Sequence, residues 1–505
     1  MALIKSIVCL GFFLLLWIIP SFRNKCIIYF NLSEQFLIKN KKLVLFTAFG
    51  LYILIIFLLQ QHHPIDGDEG QAWLIARDTD SFKKMYSLMG YEGTPGLWHT
   101  IQRPFAQSGI SFNIIYFFNF FFIIAAILIW LWLAPFPLLI RILLPFSHIL
   151  LTEYSVNARS YALSVCLLFA GLALFKKFYN KWLAWSILFF LLANTNIHST
   201  LLCCGFALFL LLNGFSKKDK TAVKGAIIIG IGILLATLQV FPPADLDKEL
   251  ANIKFQSAPA AITISIITGT IAFSLVIYFS FLAQLLVSIK NRLLLFSLLS
   301  IQVALFFLFL FKYPGQIRHH FFLFLGMIMC IWIGNIKEKY KATTYLFLFA
   351  ILCMMITTSV SFTLKKINPG NNHKKEITDY IKKEINPGSK TFIACHPDNV
   401  AVAILPNLLP YKQFYMPDAN RWGSYVIWNQ ERKSGLFNPD IVRNVADLSK
   451  KYMGYNEYFY LTINKLPVDS ANYYHITLVK QSTNQYMVNT ANTWNTYYLY
   501  KLSSQ

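Results

Sequence analysis

Residues 43–60 read LVLFTAFGLYILIIFLLQ, and residues 61–78 continue QHHPIDGDEGQAWLIARD. The first stretch carries no charge and is close to the roughly 20 apolar residues a helix needs to cross a bilayer's hydrocarbon core. The second places Asp66, Asp68 and Glu69 just past its end. Apolar runs bounded by polar connectors recur along the whole chain. Twelve candidate spans follow, at 3–20, 43–60, 112–133, 136–151, 160–175, 182–198, 199–214, 225–241, 262–288, 293–311, 320–335 and 343–363. The composition agrees: 56% of the residues are hydrophobic, 16% aromatic and 13% charged, which excludes a water-soluble globule. The expected fold is therefore a polytopic α-helical membrane protein of about 11–12 spans, followed by a small soluble domain.

Lys and Arg collect in cytoplasmic connectors near span ends. Arg23, Lys25, Lys39, Lys41 and Lys42 precede the second span, and Lys176, Lys177 and Lys181 follow the fifth. Lys217, Lys218, Lys220 and Lys224, then Lys290 and Arg292, then Lys337, Lys339 and Lys341 continue the pattern in every second connector. The connectors 61–111, 152–159, 242–261 and 312–319 and the tail then lie outside. The formal net charge of +22 belongs to this topology and is no nucleic-acid footprint, since no basic helix or aromatic-basic stripe concentrates it. The first apolar stretch lacks a small-residue cleavage site and reads as a retained span. Three domains result: an extra span and basic connector at 1–42, a transmembrane domain at 43–363 with its outer loop 61–111, and an extracytoplasmic α/β domain at 364–505.

That last domain loses the long apolar runs. Strand-like segments at 391–395, 457–464, 474–480 and 496–502 alternate with helix-like ones near 374–384 and 440–452. Turns are expected at Asn368-Pro369-Gly370 and Asn386-Pro387-Gly388. Of the cysteines, Cys395 alone falls in the tail, and no spaced Cys or His pairs form a metal box.

Outer loop 61–111 is longer than a simple hairpin needs, and loops of that length are usually functional. Residues 72–78 look like a short helix along the membrane interface, for which Asp68 is a natural N-cap. Capping is the bland reading of the acidic cluster. A calcium loop fits poorly, because the EF-hand spacing begun by Asp66 and Asp68 lacks its glycine at the sixth position. Two outer arginines strengthen a functional reading. Arg159 lies in Glu153-Tyr154-Ser155-Val156-Asn157-Ala158-Arg159-Ser160-Tyr161 and Arg318 in Gln316-Ile317-Arg318-His319-His320. Each alone would serve as a headgroup anchor. Together, on the same face as three carboxylates, they suggest a site that holds a phosphate and deprotonates something beside it. His198, at the outer end of the sixth span, is a candidate to join them.

The loop from Pro64 to Asp78, with its Asp68-Glu69 pair, resembles the first outer loop of the GT-C glycosyltransferases, nearest to bacterial protein O-mannosyltransferase-like and aminoarabinose-transferase-like members. Gly93-Thr94-Pro95-Gly96-Leu97-Trp98-His99 stands where those enzymes carry a second loop motif, commonly His-Pro-Pro-Leu, and departs from it at most positions. Asn157-Ala158-Arg159-Ser160-Tyr161 is similar to their Ala-Arg-x-Tyr motif, and Arg318-His319 to their late Arg-His pair. The resemblance covers roughly residues 43–335. It implies an enzyme of the bacterial inner membrane that moves a sugar from a polyprenyl-phosphate monosaccharide to a lipid, glycan or protein acceptor outside. Asp68 would be the base, with Glu69 or Asp66 orienting it or binding the acceptor. Arg159, Arg318, His319 and Tyr161 would hold the donor phosphate, and His99, His198 and Glu153 would be further contacts. No cofactor is required, although three carboxylates so close together would also serve a divalent cation.

A transporter or lipid flippase fits twelve spans equally well, but acids between 113 and 363 are limited to Glu153, Asp219, Asp245, Asp247, Glu249 and Glu338, all in connectors. A polysaccharide polymerase or ligase also takes lipid-linked donors, and typically places its large outer loop late in the chain rather than early.

Overall fold

The computed structural model of the chain describes residues 2–63, 66–247, 271–367, 373–385, 390–409, 411–432, 443, 447, 454–466, 475–482 and 496–502. Two compact units divide it. One comprises Met1–Gln61, Tyr116–Val240 and Asn252–Ile367, the other His62–Ile115, Phe241–Ala251 and Asn368–Gln505. Loop 61–111, grouped with the spans on sequence, thus shares a unit with the tail.

The first unit is helical and apolar. Among the described residues, seven helices are long and apolar enough to cross a membrane: Lys41–Gln61, Ile114–Leu133, Ser160–Lys177, Ile197–Lys217, Lys220–Gln239, Arg292–Lys312 and Glu338–Leu364. Trp182–Ala193, Ile277–Ser288 and Ile317–Ile333 are shorter apolar helices, and Gly11–Ile18 meets Pro20–Lys39 at a bend of 109°. The chain is a polytopic helical membrane protein with a small C-terminal sheet domain. The basic stretch before the second span, expected as a connector, is the helix Pro20–Lys39. The run at 136–151 is broken into the α-helix Leu138–Leu143, a 3-10 turn Leu144–Phe146 and a π-helix Ile149–Tyr154. Pro145 explains the break, since it has no N–H to donate and its ring crowds the preceding turn. The Arg141 carbonyl that Pro145 leaves without a backbone donor accepts from Trp130 Nε1 at 2.9 Å, and at the end of the π-helix Asn119 donates to Tyr154 and Ser155 at 3.1 and 2.9 Å and Gln60 to Ser155 at 2.8 Å. The run at 182–198 likewise ends early, at Ala193, because Asn196 caps the next helix by accepting the Ser199 N–H at 2.9 Å. The first part of the run at 262–288 lies outside the described residues.

The second unit is built on a sheet of β1 (Thr391–His396), β2 (Phe414–Met416), β3 (Arg421–Gly423), β4 (Glu457–Thr462), β5 (Ile476–Gln481) and β6 (Tyr498–Leu502), in the spatial order β3-β2-β1-β4-β6-β5. β1 pairs in parallel with β2 and β4, and the other pairs are antiparallel. The four strand-like segments read from sequence correspond to β1, β4, β5 and β6, and the helix near 374–384 to His373–Glu384. The short strands β2 and β3 and the helix Asn399–Ile404 carried no periodic signal. The expected turns at 368–370 and 386–388 lie outside the described residues, as does the helix at 440–452 apart from Arg443 and Asp447. Alternation along β1 and β4 gives the sheet two apolar faces: Ile393, Cys395, Phe459 and Leu461 on one, Phe392, Ala394, Tyr458 and Tyr460 on the other.

The helix read at 72–78 runs from Gly67 to Asp78 and is buried along most of its length. Residues 69–76 are all buried, and Leu74 belongs to the same core as Ile377, Val402 and Phe459. Its approach to the helix Asn399–Ile404 is so close that a Cβ on Gly70 would stand 1.8 Å from the Val402 carbonyl oxygen. Only glycine fits there.

Candidate functional site

The acidic turn is fixed by its helix end. Asp66, not Asp68, is the N-cap of Gly67–Asp78. Glu69, at the third helical position, accepts the Asp66 N–H at 2.8 Å, the return half of a capping box. Glu69 is fully buried, and the His63 Nε2 lies 3.1 and 3.2 Å from its two carboxylate oxygens. Asp68, at the second helical position, is exposed. Lys374, on the helix His373–Glu384, lies within electrostatic reach of all three carboxylates. Burial pushes its ammonium below the usual value, while Asp66, Glu69 and Asp68 oppose that shift. Sequence gave no sign of Lys374, which lies about 300 residues further along and joins the cluster only through the fold.

The far end of the same helix is also held. Arg103, on the helix Leu97–Gln107, donates to Thr79 Oγ1 at 2.5 Å, to Thr79 O at 2.9 Å and to Ala76 O at 3.2 Å. His99 lies buried on that helix. In the middle, the Gln71 carboxamide pairs with the Val426 backbone in both directions, donating at 2.8 Å and accepting at 2.9 Å.

The cationic group occupies three helix starts in the first unit. Arg159 is the N-cap residue of Ser160–Lys177, His198 the second residue of Ile197–Lys217, and Arg318 and His319 the second and third of Ile317–Ile333. These starts meet at His319. Its Nδ1 accepts the Gln316 N–H at 2.7 Å, so a neutral imidazole carries its proton on Nε2 and donates it to the Tyr161 hydroxyl, 2.7 Å away. His198 stacks on His319 with ring centroids 4.9 Å apart and 9° between planes, and the Arg159 guanidinium sits 5.4 Å from the Tyr161 ring centroid. His198, Tyr161, Arg318 and His319 are each buried, and Arg159 is half-buried. Tyr154, which sequence did not single out, donates its hydroxyl to the Arg318 carbonyl at 2.5 Å and stacks on Tyr161 at 5.1 Å. Glu153 accepts from Asn157 at 2.9 Å and so braces the turn that leads to Arg159. A π-helical turn precedes each arginine, Ile149–Tyr154 before Arg159 and Leu308–Lys312 before Arg318.

Asp66, Asp68, Glu69 and His99 thus belong to one unit, and Glu153, Arg159, Tyr161, His198, Arg318 and His319 to the other. Among the described residues, no group of three or more His, Cys, Asp or Glu side chains is placed to hold a metal ion. No family model matches the sequence, and no curated protein matches it.

Proposed function

We propose that the protein is an inverting glycosyltransferase that moves a sugar from a polyprenyl-phosphate monosaccharide to an acceptor hydroxyl on the outer face of a bacterial inner membrane. The meeting of three helix N-termini at His319, each bearing an arginine or a histidine, carries the proposal. A helix start is equivalent to roughly half a positive charge, and placing guanidinium groups there concentrates positive potential in one spot. A phosphate is the natural occupant. Apolar spans beside it would keep the polyprenyl chain in lipid while the phosphate and sugar stay at the interface.

In the proposed reaction the acceptor oxygen forms a bond to the anomeric carbon as the bond from that carbon to the phosphate oxygen breaks, with inversion. The acceptor proton passes to Asp68, and the electron pair stays with the leaving phosphate. Asp66 and Glu69 close the helix end, so of the three carboxylates Asp68 is the exposed one that takes no part in the cap. Arg159 and Arg318 would stabilise the phosphate as its charge grows, with Tyr161, whose oxygen accepts from His319 and whose own proton is not used in that bond, as a further donor.

The test is transfer of labelled sugar from a panel of polyprenyl-phosphate monosaccharides, in membranes carrying matched amounts of the intact protein or of Asp68→Asn. Loss of a general base predicts a fall of about a hundredfold or more with donor binding retained. Unchanged transfer would assign the base to Asp66 or Glu69 instead. No transfer by the intact protein from any donor would refute the proposal.

A further inference from the structure

Residues 178–181 join the helices Ser160–Lys177 and Trp182–Ala193, and residues 218 and 219 join Ile197–Lys217 and Lys220–Gln239. The two connectors are fastened to each other. Tyr179 donates its hydroxyl to Asp219 and accepts the Trp185 Nε1–H on its carbonyl at 2.9 Å. The other Asp219 oxygen caps Lys220–Gln239 through the N–H groups of Thr221 and Ala222 at 2.9 and 3.2 Å. The helices close tightly beside them, since a Cβ on Gly225 would stand 2.0 Å from Trp185 Cη2. Three of the spans end or begin here, which sets the connectors at the level of lipid headgroups.

Residues 176–181 carry three lysines and residues 217–224 four, all exposed, and the one acid among them is the Asp219 already engaged. Among the described residues, none of these lysines forms an ion pair. Three of them collect on rings instead. The Nζ atoms of Lys177 and Lys181 stand 5.2 and 5.3 Å from the Phe178 ring centroid, and that of Lys224 stands 5.6 Å from the Trp182 ring. Ammonium groups gathered in this way repel one another, and an anion among them removes that cost. Lys220 and Lys224 also head a stripe along their helix, continued at spacings of three and four residues by Ile227, Ile231 and Leu235, which are 55%, 45% and 42% exposed. From Lys224 to Leu235 the stripe runs about 16 Å, the depth of one leaflet's hydrocarbon.

We propose that the two connectors form a site for an anionic phospholipid, its phosphate among Lys181, Lys220 and Lys224 and an acyl chain along Ile227, Ile231 and Leu235. Lys220, Lys224 and the apolar stripe share one face of one helix, and all of them are exposed. Charge complementarity selects an anionic lipid over a neutral one, and the apolar stripe selects a lipid over a soluble phosphate. The proposal stands whether or not the chain is a transferase.

Native mass spectrometry of the purified full-length protein, exchanged into detergent with equal phosphatidylglycerol and phosphatidylcholine of matched chains, tests it. One phosphatidylglycerol is expected to persist with a preference of about tenfold, the effect of several lysines held against a lipid phosphate. Lys181→Gln with Lys224→Gln should cut that preference by about fivefold or more. Lys290→Gln with Arg292→Gln, the exposed basic pair of another connector, should leave it unchanged. Added glycerol phosphate, a headgroup without chains, leaves a lipid site occupied and would empty a free-phosphate site. Equal retention of both lipids by the wild type, displacement by glycerol phosphate, an unchanged preference in the Lys181 and Lys224 double variant, or an equal loss in the control pair would overturn the site.

Discussion

Two helices, one in each unit, begin in the same way and carry opposite charge. In Gly67–Asp78 the third residue, Glu69, reaches back to the N–H of the N-cap Asp66; in Ile317–Ile333 the third residue, His319, reaches back to the N–H of the N-cap Gln316. The second residue is Asp68 in one and Arg318 in the other. Electrostatics separates them, because an anion at a helix start is stabilising and a cation destabilising by about 0.3–1 kcal/mol each. The acidic turn therefore supports its own helix. The cationic turn needs help from elsewhere, and receives it from Tyr154 on the Arg318 carbonyl and from Tyr161 and His198 around His319. The acidic site is a local structure held in place, whereas the cationic site exists only through contacts among three helices.

The largest expected effect strikes what holds the acidic helix in place. Gly70→Ala sets a Cβ 1.8 Å from the Val402 carbonyl oxygen, with backbone on both sides of the clash. A loss of more than about 4 kcal/mol is expected, enough to abolish recovery of folded protein. Gly67→Ala, whose Cβ would meet Val402 Cγ2 at an ordinary 3.7 Å, is the matched control and should stay within about 0.5 kcal/mol of wild type. Size-exclusion profiles and melting curves of the two variants measure this. Equal behaviour would dissolve the packing of Gly67–Asp78 on Asn399–Ile404.

A smaller effect should follow on the cationic side. Tyr161→Phe leaves the buried Nε2–H of His319 without its acceptor, which costs about 1–3 kcal/mol. Calorimetry or thermal unfolding in detergent reads it. A variant as stable as the wild type would mean that His319 does not depend on its neighbours, and the contrast with the self-supporting acidic turn would fall.

That contrast also explains what was legible in the sequence. The apolar runs, β1, β4, β5 and β6 and the helix at His373–Glu384 depend on local periodicity, which any window of residues displays. The acidic cluster was legible for the same reason, although the cap proved to be Asp66 rather than Asp68. What escaped notice depends on distance along the chain. Gln71 pairs with Val426 across 355 residues, and this contact, with that of Gly70 and Val402, binds loop 61–111 into the tail's unit. No local pattern announces such a partner. β2 and β3, three residues each, are too short to show alternation, and the π-helical turns before Arg159 and Arg318 look in sequence like the ends of ordinary apolar helices.

The smallest expected effect sharpens the comparison through pH. Tyr91, in the unit that carries the acids, donates its hydroxyl to Asp245 at 2.5 Å. Burial first, then that bond and the charges of Asp245 and Glu431, push its hydroxyl from the usual 10 up to about 12. A raised value means that between pH 10 and about 12 the folded protein keeps a proton which the unfolded chain has released. Stability from this contact is complete below pH 10 and declines as pH rises through that window. Tyr91→Phe removes the group, so the variant should begin less stable and lose less on the alkaline side, with the two curves converging toward pH 12. Melting temperatures of both proteins from pH 9 upward measure the difference. Parallel curves would mean that the bond to Asp245 contributes nothing to holding the connector Phe241–Ala251 in this unit, and would leave Gln71 and Gly70 as the contacts that assemble it.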